Sequence, residues 1–154
     1  MYESKFYPGK HELSTYHGSC HCGAVQFRLS LPTLSTIHVN ECNCSICEIN
    51  GYLNVYPFRS DFVLDAGEDK LSVYRFGPKN KQHKFCKICG TSLMIDFAEE
   101  PKSSPFGSIS DYMAVNVRAN PGERWSGADE QQVRTLKDVD LSTLNIRRCD
   151  GKSW

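Results

Sequence analysis

Seven of the eight cysteines in this 154-residue chain lie in three short groups, and clustered thiols are the residues best able to do chemistry here. The three groups and the remaining thiol are Cys20-x-Cys22, Cys42-x-Cys44-x-x-Cys47, Cys86-x-x-Cys89 and Cys149. Cysteines separated by one or two residues can direct their sulfurs at a single metal ion, and zinc takes four such ligands in a tetrahedral arrangement. The spacing therefore predicts metal binding.

The first and third groups are suited to a closed, structural zinc site. The residues between Cys86 and Cys89 let both sulfurs face one ion, and Gly90 permits the tight turn that follows. Cys20 and Cys22 supply the other sulfurs, because a turn at the start of a strand can direct both toward the same point. Such a site would add its binding energy to folding. Redox-active or free buried thiols are the alternative interpretation of these residues.

The middle group has only three thiols, Cys42, Cys44 and Cys47, with no fourth nearby in the sequence. Three protein ligands and one open position are typical of a catalytic zinc, which can accept water or a substrate thiol. We therefore predict a second metal ion here, with the three cysteines as both ligands and catalytic residues. Alternatively, the thiols bind metal only loosely, or a further side chain closes a second structural site. The residues that could close it are Cys149, His38 and His83.

Short segments that alternate apolar and polar residues must position these cysteines. A period of two places successive side chains on opposite faces of a strand, so each segment predicts a half-buried β-strand. The apolar positions of these segments are Val25, Phe27 and Leu29; Ile37 and Val39; Leu53 and Val55; Leu71 and Val73; Leu93, Ile95 and Phe97; and Met113, Val115 and Val117. The predicted fold is mainly β, with small antiparallel sheets.

Other segments complete the predicted layout. Residues Cys44 to Ile49 and Asp129 to Leu136 are each long enough for a short helical turn, and Glu99 to Ser110 is a proline- and serine-rich loop. The polar tail, Leu136 to Trp154, is expected to lie over the body of the protein without forming part of it. With 40% hydrophobic residues the chain can bury one core, so a single domain over residues 1–154 is predicted.

Charge and hydropathy argue against several classes of partner. Lys plus Arg and Asp plus Glu number 18 each, so the chain lacks the basic excess of a nucleic-acid-binding protein. No apolar run approaches the length of a membrane-spanning helix, and residues 1–10 lack the apolar stretch of a secretion signal. We predict a cytoplasmic protein with no nucleic-acid or membrane partner, in which a reducing environment favours metal ligation over disulfides.

The cysteine motifs and their flanking residues resemble the three signatures of the glutathione-dependent formaldehyde-activating enzyme family, also described as centromere protein V-like. The matching stretches are Gly18-Ser-Cys-His-Cys-Gly-Ala-Val25, Cys42-Asn-Cys-Ser-Ile-Cys47 and Phe85-Cys-Lys-Ile-Cys-Gly-Thr91. The resemblance extends from Gly18 to Val117 and implies a β-tent fold of small antiparallel sheets.

The resemblance also implies two zinc ions per chain with different roles. The structural ion would be held by the first and third cysteine groups, and the catalytic ion by the middle group. The reaction attached to the family is the reversible addition of glutathione to formaldehyde, which gives S-(hydroxymethyl)glutathione and is classed as a carbon–sulfur lyase activity. The implied partners are therefore a small thiol such as glutathione and a small aldehyde. A non-catalytic, zinc-stabilised binding module is the alternative function.

A metal ion held by three thiolates is suited to deliver a sulfur nucleophile. Coordination lowers the pKa of an entering thiol, so that glutathione would bind as thiolate and attack an aldehyde carbonyl. His83 is a candidate proton carrier, Tyr52 and Asn54 are candidates to line the cleft, and Arg118 is a candidate to bind a glutathione carboxylate. Each of these side chains has a structural alternative, as a core residue, a loop cap or a solvated surface group.

Overall fold

The computed structural model of the protein describes residues 4–101, 108–117 and 141–153. Part of the predicted loop, Glu99 to Ser110, lies outside these ranges, as do the predicted helical turn, Asp129 to Leu136, and Arg118. Residues 136–140 and 154 of the polar tail also lie outside the described residues.

Short strands dominate the described part of the chain. In chain order they are β1 (Leu13–Ser19), β2 (Gln26–Pro32), β3 (His38–Cys42), β4 (Asn54–Val55), β5 (Phe62–Ala66), β6 (Leu71–Tyr74), β7 (Gln82–Cys86), β8 (Ser92–Asp96), β9 (Met113–Asn116) and β10 (Asn145–Cys149). A short α-helix, α1, is Ser45–Asn50. Single 3-10 turns lie at Leu34–Thr36, Arg59–Asp61, Glu68–Lys70, Ile109–Asp111, Leu141–Thr143 and Gly151–Ser153. Within the described ranges, no helix has the length and apolar character needed to cross a membrane.

The strands form two sheets. β1, β2 and β5 make an antiparallel three-stranded sheet, and the other seven strands are ordered β10-β3-β4-β9-β8-β7-β6. Neighbouring strands of the larger sheet pair antiparallel except β10 and β3, which run parallel. The predicted fold class, mainly β with small antiparallel sheets, is confirmed.

The largest hydrophobic core lies between the two sheets. Phe27, Leu29 and Leu31 alternate along β2 and are buried, at 1% exposure or less. They belong to one cluster with Val39 of β3 and Val115 of β9, so the smaller sheet covers one face of the larger sheet. Burying a side chain of this size stabilises the fold by about 1.5–3 kcal/mol, which makes this face the main source of stability.

The opposite face of the larger sheet carries a second, smaller cluster. Side chains alternate between faces along a strand, so Ile95 of β8 and Ala114 of β9, which pair in register, both lie on this second face. Cys47 and Tyr52, from the segment after β3, pack against them, and Cys42 lies at the margin of the cluster. The middle cysteine group therefore belongs to the second face and not to the main core.

The polar tail contributes a strand to the larger sheet, which corrects the expectation that it would only lie over the body. β10 pairs in parallel with β3, from Asn145 opposite His38 to Cys149 opposite Cys42. Four of its five side chains are exposed, because it is an edge strand held mainly by its backbone. Such a strand has no apolar alternation from which it could be predicted.

Three further strands have no counterpart among the predicted segments. β1 and β7 consist largely of polar residues, and β5 only partly buries Phe62 and Leu64. Pairing with neighbouring strands keeps these segments extended, and that pairing depends on residues distant in the sequence. A pattern of buried side chains was therefore absent or too weak to predict them.

The side chain of His83, on β7, is buried without a hydrogen-bond partner. The residue is 4% exposed, and neither Nδ1 nor Nε2 has a partner. The imidazole lies beside Phe76, with ring centroids 5.3 Å apart, and faces Tyr52 at 6.4 Å. Burial, assisted by the nearby Lys81, lowers the pKa of His83 to about 4.

We predict that His83→Leu reduces the loss of stability that the protein suffers in mild acid. The unfolded chain binds a proton on this histidine near its ordinary pKa of 6.5, whereas the native state does so only near 4, so protonation favours unfolding across this window. Between these pH values the wild-type protein should lose up to about 3 kcal/mol more than the variant. Denaturant unfolding at several pH values measures the difference, with the exposed His38→Leu as control. An identical pH dependence in wild type and His83→Leu would contradict the prediction.

Candidate metal centres

The first and third cysteine groups meet where two turns come together, and we call this cluster the four-cysteine centre. The Sγ atoms of Cys20, Cys22, Cys86 and Cys89 all lie within 4.8 Å of one another. The distance is 3.5 Å between Cys20 and Cys22, and 3.8 Å between Cys22 and Cys86. Four sulfurs bound to zinc at about 2.3 Å are separated from one another by about 3.8 Å. The donor set and its spacing therefore fit a tetrahedral zinc ion.

Two glycine turns of the same design bring these sulfurs together. Gly23 and Gly90 have left-handed φ angles of 76° and 77°, which favour glycine. Their N–H groups donate to the carbonyls of Cys20 and Cys86, at 3.1 and 2.8 Å. In both turns the N–H of the first cysteine donates to the carbonyl five residues later, at 3.0 Å. The two motifs therefore form equivalent turns.

Burial makes the four-cysteine centre suited to a structural role. Cys20 and Cys86 are 1% and 0% exposed and belong to the main hydrophobic core. Burial raises the pKa of the Cys20 thiol to about 12, so a cation is needed to hold it as a thiolate at neutral pH. The N–H of Val25 donates to Cys20 Sγ at 3.3 Å and favours the charged form.

The middle group forms a second cluster, which we call the three-cysteine centre. The Sγ atoms of Cys42, Cys44 and Cys47 lie within 4.8 Å of one another. Cys42 ends β3, Cys44 precedes α1 in an extended conformation, and Cys47 lies in the helix, so a tight strand-to-helix turn directs all three inward. The helix ends at Gly51, whose left-handed φ of 61° lets its N–H reach the carbonyls of the last turn. These sulfurs supply three of the four ligands that zinc prefers.

Cys42 and Cys47 bind their protons unequally. A hydrogen bond with Cys47 is the main cause that lowers the pKa of Cys42 to about 5, and the same contact raises the pKa of Cys47 well above its ordinary value. The N–H of Cys44 also donates to Cys42 Sγ, at 3.4 Å. The contact therefore favours the thiolate form of Cys42 over that of Cys47.

Three buried asparagines lie in a row across the larger sheet, next to the three-cysteine centre. Asn40 of β3, Asn54 of β4 and Asn116 of β9 pair in register and are 8%, 2% and 6% exposed. Asn116 Oδ1 accepts from the N–H of Leu53 at 3.2 Å, and its Nδ2 donates to the carbonyl of Ser92 at 3.1 Å. The Oδ1 atoms of Asn40 and Asn54 have no hydrogen-bond partner. An unpaired buried oxygen is costly, and no group of the described residues offsets that cost at these two atoms.

The hydroxyl of Tyr56 connects the asparagine row to the three-cysteine centre. Its ring stacks on Phe6, with centroids 4.3 Å apart, and its backbone N–H donates to Tyr7 Oη at 2.8 Å. The hydroxyl interacts with the side chain of Asn40 and lies within electrostatic range of Cys47. Burial raises the pKa of this hydroxyl, so it stays protonated and can donate. Sequence analysis missed Tyr56, because nothing in its spacing relates it to the thiols.

A short C-terminal segment, residues 149–152, crosses the three-cysteine centre, and we call it the C-terminal strap. Asn43, which lies between two of the thiols, holds it in place. The Asn43 backbone N–H donates to the carbonyl of Cys149 at 3.1 Å, and Asn43 Nδ2 donates to Asp150 Oδ1 at 2.9 Å. Asn43 Oδ1 accepts from the N–H of Lys152 at 3.0 Å. Sequence analysis named Cys149 as one residue that could close the centre, but nothing in the sequence indicated that Asn43 would hold this segment.

Other side chains considered as ligands, proton carriers or cleft residues lie at different distances from the thiols. His83 pairs with Ile95 and stacks on Tyr52 at 6.4 Å, so its ring lies on the same face of the sheet as the thiols, but its nitrogens do not join the three sulfurs within 4.8 Å. His38 is exposed at the start of β3, about 13 Å along the strand from Cys42. Tyr52 is adjacent, because its N–H donates to the helix and its ring packs in the second cluster. Asn54 lies in the asparagine row, so the structure places Tyr52 and Asn54 at the site, His83 next to Tyr52, and His38 away from the site.

Comparison with known proteins relates the chain to one family. A family model described as "Glutathione-dependent formaldehyde-activating enzyme" matches residues 15–119, which include both metal centres and end before the strap. A curated protein from Halomonas elongata, named as a candidate glutathione-dependent formaldehyde-activating enzyme, is 32% identical over 104 residues, covering 61% of this chain and 64% of the relative. The chain thus spans less than two thirds of that relative's length. A crystal structure of a Rhodobacter sphaeroides protein has a TM-score of 0.54 at 28% identity, covering 66% of this chain and 84% of that one.

We predict that Cys86→Ser unfolds the protein, whereas Cys47→Ser leaves the β fold in place. The first change removes a buried ligand from a centre whose metal-binding energy, on the order of 10 kcal/mol, is part of the folding energy. The second change affects only the centre on the opposite face of the sheet. Circular dichroism and metal analysis should find little structure in Cys86→Ser, and one metal ion per folded chain in Cys47→Ser. Comparable loss of structure in the two variants would contradict separate roles for the centres.

Proposed function

Because the chain belongs to the glutathione-dependent formaldehyde-activating enzyme family, we propose that it catalyses the reversible addition of a small thiol, such as glutathione, to a small aldehyde, such as formaldehyde. This is the activity of a carbon–sulfur lyase of the S-(hydroxymethyl)glutathione synthase type. The observation that supports the proposal best is the three-cysteine centre, where three convergent sulfurs lie beside buried oxygens that have no partner. The name of the Halomonas elongata relative points to the same reaction.

The proposal includes a zinc ion at each centre, structural at the four-cysteine centre and catalytic at the three-cysteine centre. A zinc ion at the three-cysteine centre would lower the pKa of an entering thiol, so that the sulfur is a thiolate and a nucleophile at neutral pH. Cys42, Cys44 and Cys47 would hold that ion and determine where the sulfur enters. The family's β-tent arrangement of the sheets is part of the same proposal. All eight cysteines are free thiols, which suits a reducing compartment such as the cytoplasm.

In this mechanism Tyr56 is the proton donor. Attack of the thiolate on the aldehyde carbon forms a carbon–sulfur bond and converts the carbonyl oxygen to an alkoxide, which must then take up a proton. The Tyr56 side chain packs against the cluster that contains Cys47, and burial raises the pKa of its hydroxyl, so that the hydroxyl keeps its proton at neutral pH and its pKa is closer to that of the alkoxide. The proton that the substrate thiol gives up would return to Tyr56, so the forward reaction has no net loss or gain of protons. In the reverse direction the tyrosinate would take the proton back from the hydroxyl of the adduct as the carbon–sulfur bond breaks.

The asparagine row would position the substrates. Asn40 Oδ1 and Asn54 Oδ1 can each accept a hydrogen bond, and neither has a donor within the described structure. Glutathione supplies amide N–H groups on both sides of its thiol, and the adduct supplies a hydroxyl. Pairing with these donors removes the cost of leaving the oxygens buried and unpaired, so it favours thiols that carry such groups.

Small thiols should bind directly at the three-cysteine centre. In protein loaded with cobalt in place of zinc, millimolar glutathione should change the sulfur-to-metal charge-transfer bands, and thiol–aldehyde adduct should form faster than in buffer. Cys47→Ser should abolish both effects while the four-cysteine centre keeps its ion, because the two centres share no ligand. If thiols leave the spectrum unchanged and no adduct forms faster than in buffer, a non-catalytic, zinc-stabilised binding module becomes the better description.

Tyr56→Phe should slow adduct formation about 100-fold, because general acid catalysis typically contributes at least that factor. The variant keeps the ring that stacks on Phe6, so the fold and the metal content should not change. Tyr74→Phe is the matched control, since Tyr74 is 50% exposed and lies on β6, at the far edge of the sheet. An unchanged rate in Tyr56→Phe would exclude Tyr56 as the proton donor.

A further inference from the structure

We propose that Cys149 is the fourth sulfur ligand of the three-cysteine centre when no substrate is bound. The strap that carries this thiol lies outside residues 15–119, the part of the chain that matches the family model. The ligand would therefore come from the chain's own C-terminal segment. The assignment of Cys149 as a ligand is argued from the geometry alone. Its role in catalysis rests on the proposed function.

The pairing of β10 with β3 places Cys149 beside the cluster. The parallel register sets it opposite Cys42, and paired residues of neighbouring strands direct their side chains to the same face. The Cys149 thiol interacts with Cys42 and, electrostatically, with Cys44. The Cys149 sulfur is not one of the three atoms that lie within 4.8 Å of one another. A change of χ1 rotamer moves a cysteine sulfur by about 3 Å, so a side-chain rotation can bring it toward a fourth ligand position.

Gly151 allows the strap to pass closely over the thiols. A Cβ atom at this residue would overlap Cys42 Sγ and lie 3.2 Å from Cys44 Cβ, so the strap packs on the centre through a residue without a side chain. Beyond it, Lys152 Nζ lies 3.1 Å from a carboxylate oxygen of Glu48 on α1. Together with the hydrogen bonds of Asn43, this contact attaches the strap to both the turn and the helix that carry the three thiols.

No other side chain of the described ranges is placed to complete the centre. His38 is exposed at the other end of β3, and no histidine nitrogen or carboxylate oxygen joins the three sulfurs within 4.8 Å. Asp150 Oδ1 accepts from Asn43, and Glu48 pairs with Lys152. Cys149 is thus the neighbouring group with the right chemistry, since zinc is commonly bound by four thiolates.

A fourth thiolate would protect the metal while substrate is absent and would also account for one proton of the reaction. A substrate thiol could take its place by giving its proton to the Cys149 sulfur, which would then leave as a neutral thiol. One thiol and one thiolate are present before and after this exchange, so charge and protons balance and no other base is required. The strap would therefore supply both the resting ligand and the proton acceptor that the three-cysteine centre lacks.

Alkylation of Cys149, followed by mass spectrometry of its peptide, tests the assignment in the full chain. In zinc-loaded protein, iodoacetamide should label Cys149 at least about ten-fold more slowly than after mild chelation that removes only the more weakly held ion. Millimolar glutathione, added to the zinc-loaded protein with iodoacetamide in excess over it, should restore labelling. Equal labelling with and without zinc would overturn the assignment, and protection that glutathione does not relieve would overturn the displacement step.

Metal release provides a second readout that does not depend on activity. Cys149→Ser should transfer its more weakly held zinc to a chelator at least about ten-fold faster than wild type, because one ligand is lost. Ile146→Ser is the matched control, since Ile146 lies on the same strand, is 43% exposed and faces away from the thiols by alternation. If Cys149→Ser releases zinc at the wild-type rate, or if Ile146→Ser releases it equally fast, the assignment is wrong.

The outcomes separate this inference from the proposed function. Zinc protection of Cys149 without adduct formation would support the ligand assignment and overturn the proposed activity. Adduct formation with a Cys149 that zinc does not protect would support the activity and overturn the ligand assignment.

Discussion

The four-cysteine centre is the constraint on which the arrangement of the two sheets depends. Two of its thiols come from the β1–β2 turn of the smaller sheet and two from the β7–β8 turn of the larger sheet. Cys22 and Cys86, whose sulfurs are 3.8 Å apart, are separated by 64 residues of sequence. The N–H of His21 donates to Thr91 Oγ1 at 3.1 Å and joins the same two turns. A zinc ion at this point would join the sheets at the edge of the core that lies between them, which is why its loss should affect the whole fold.

The two faces of the larger sheet have different roles: one packs the main hydrophobic core, and the other carries the candidate site. One face is covered by the smaller sheet and buries the aliphatic residues of the main core. The other face carries the three-cysteine centre, the asparagine row and Tyr56. Buried oxygens without partners, such as those of Asn40 and Asn54, destabilise a fold, and sites of function are where such costs are usually retained. The main core can offset this cost because it is large and lies on the opposite face.

The parts of the structure that could be predicted from the sequence are those encoded by short-range spacing. The cysteine motifs are local, so the assignment of four thiols to one centre and three to the other could be predicted from their spacing. The alternation of apolar and polar residues likewise predicted strands such as β2 and β8. The strap could not be predicted in this way, because its hydrogen bond from Asn43 to Asp150 joins residues 107 positions apart and its strand is polar. Tyr56 and the asparagine row depend on the register of strands distant in sequence, which apolar patterns do not specify.

The central claim is that the four-cysteine centre is a closed structural metal site, whereas the three-cysteine centre exchanges one ligand for a small thiol. NMR of protein in which cadmium replaces zinc tests this directly, because each bound ion gives its own signal and its position reports the bound sulfurs. The account predicts two signals in the thiolate range, of which glutathione shifts one and leaves the other unchanged, and the shifted signal is the one that Cys47→Ser removes. A single signal, or two signals that both ignore glutathione, would contradict it.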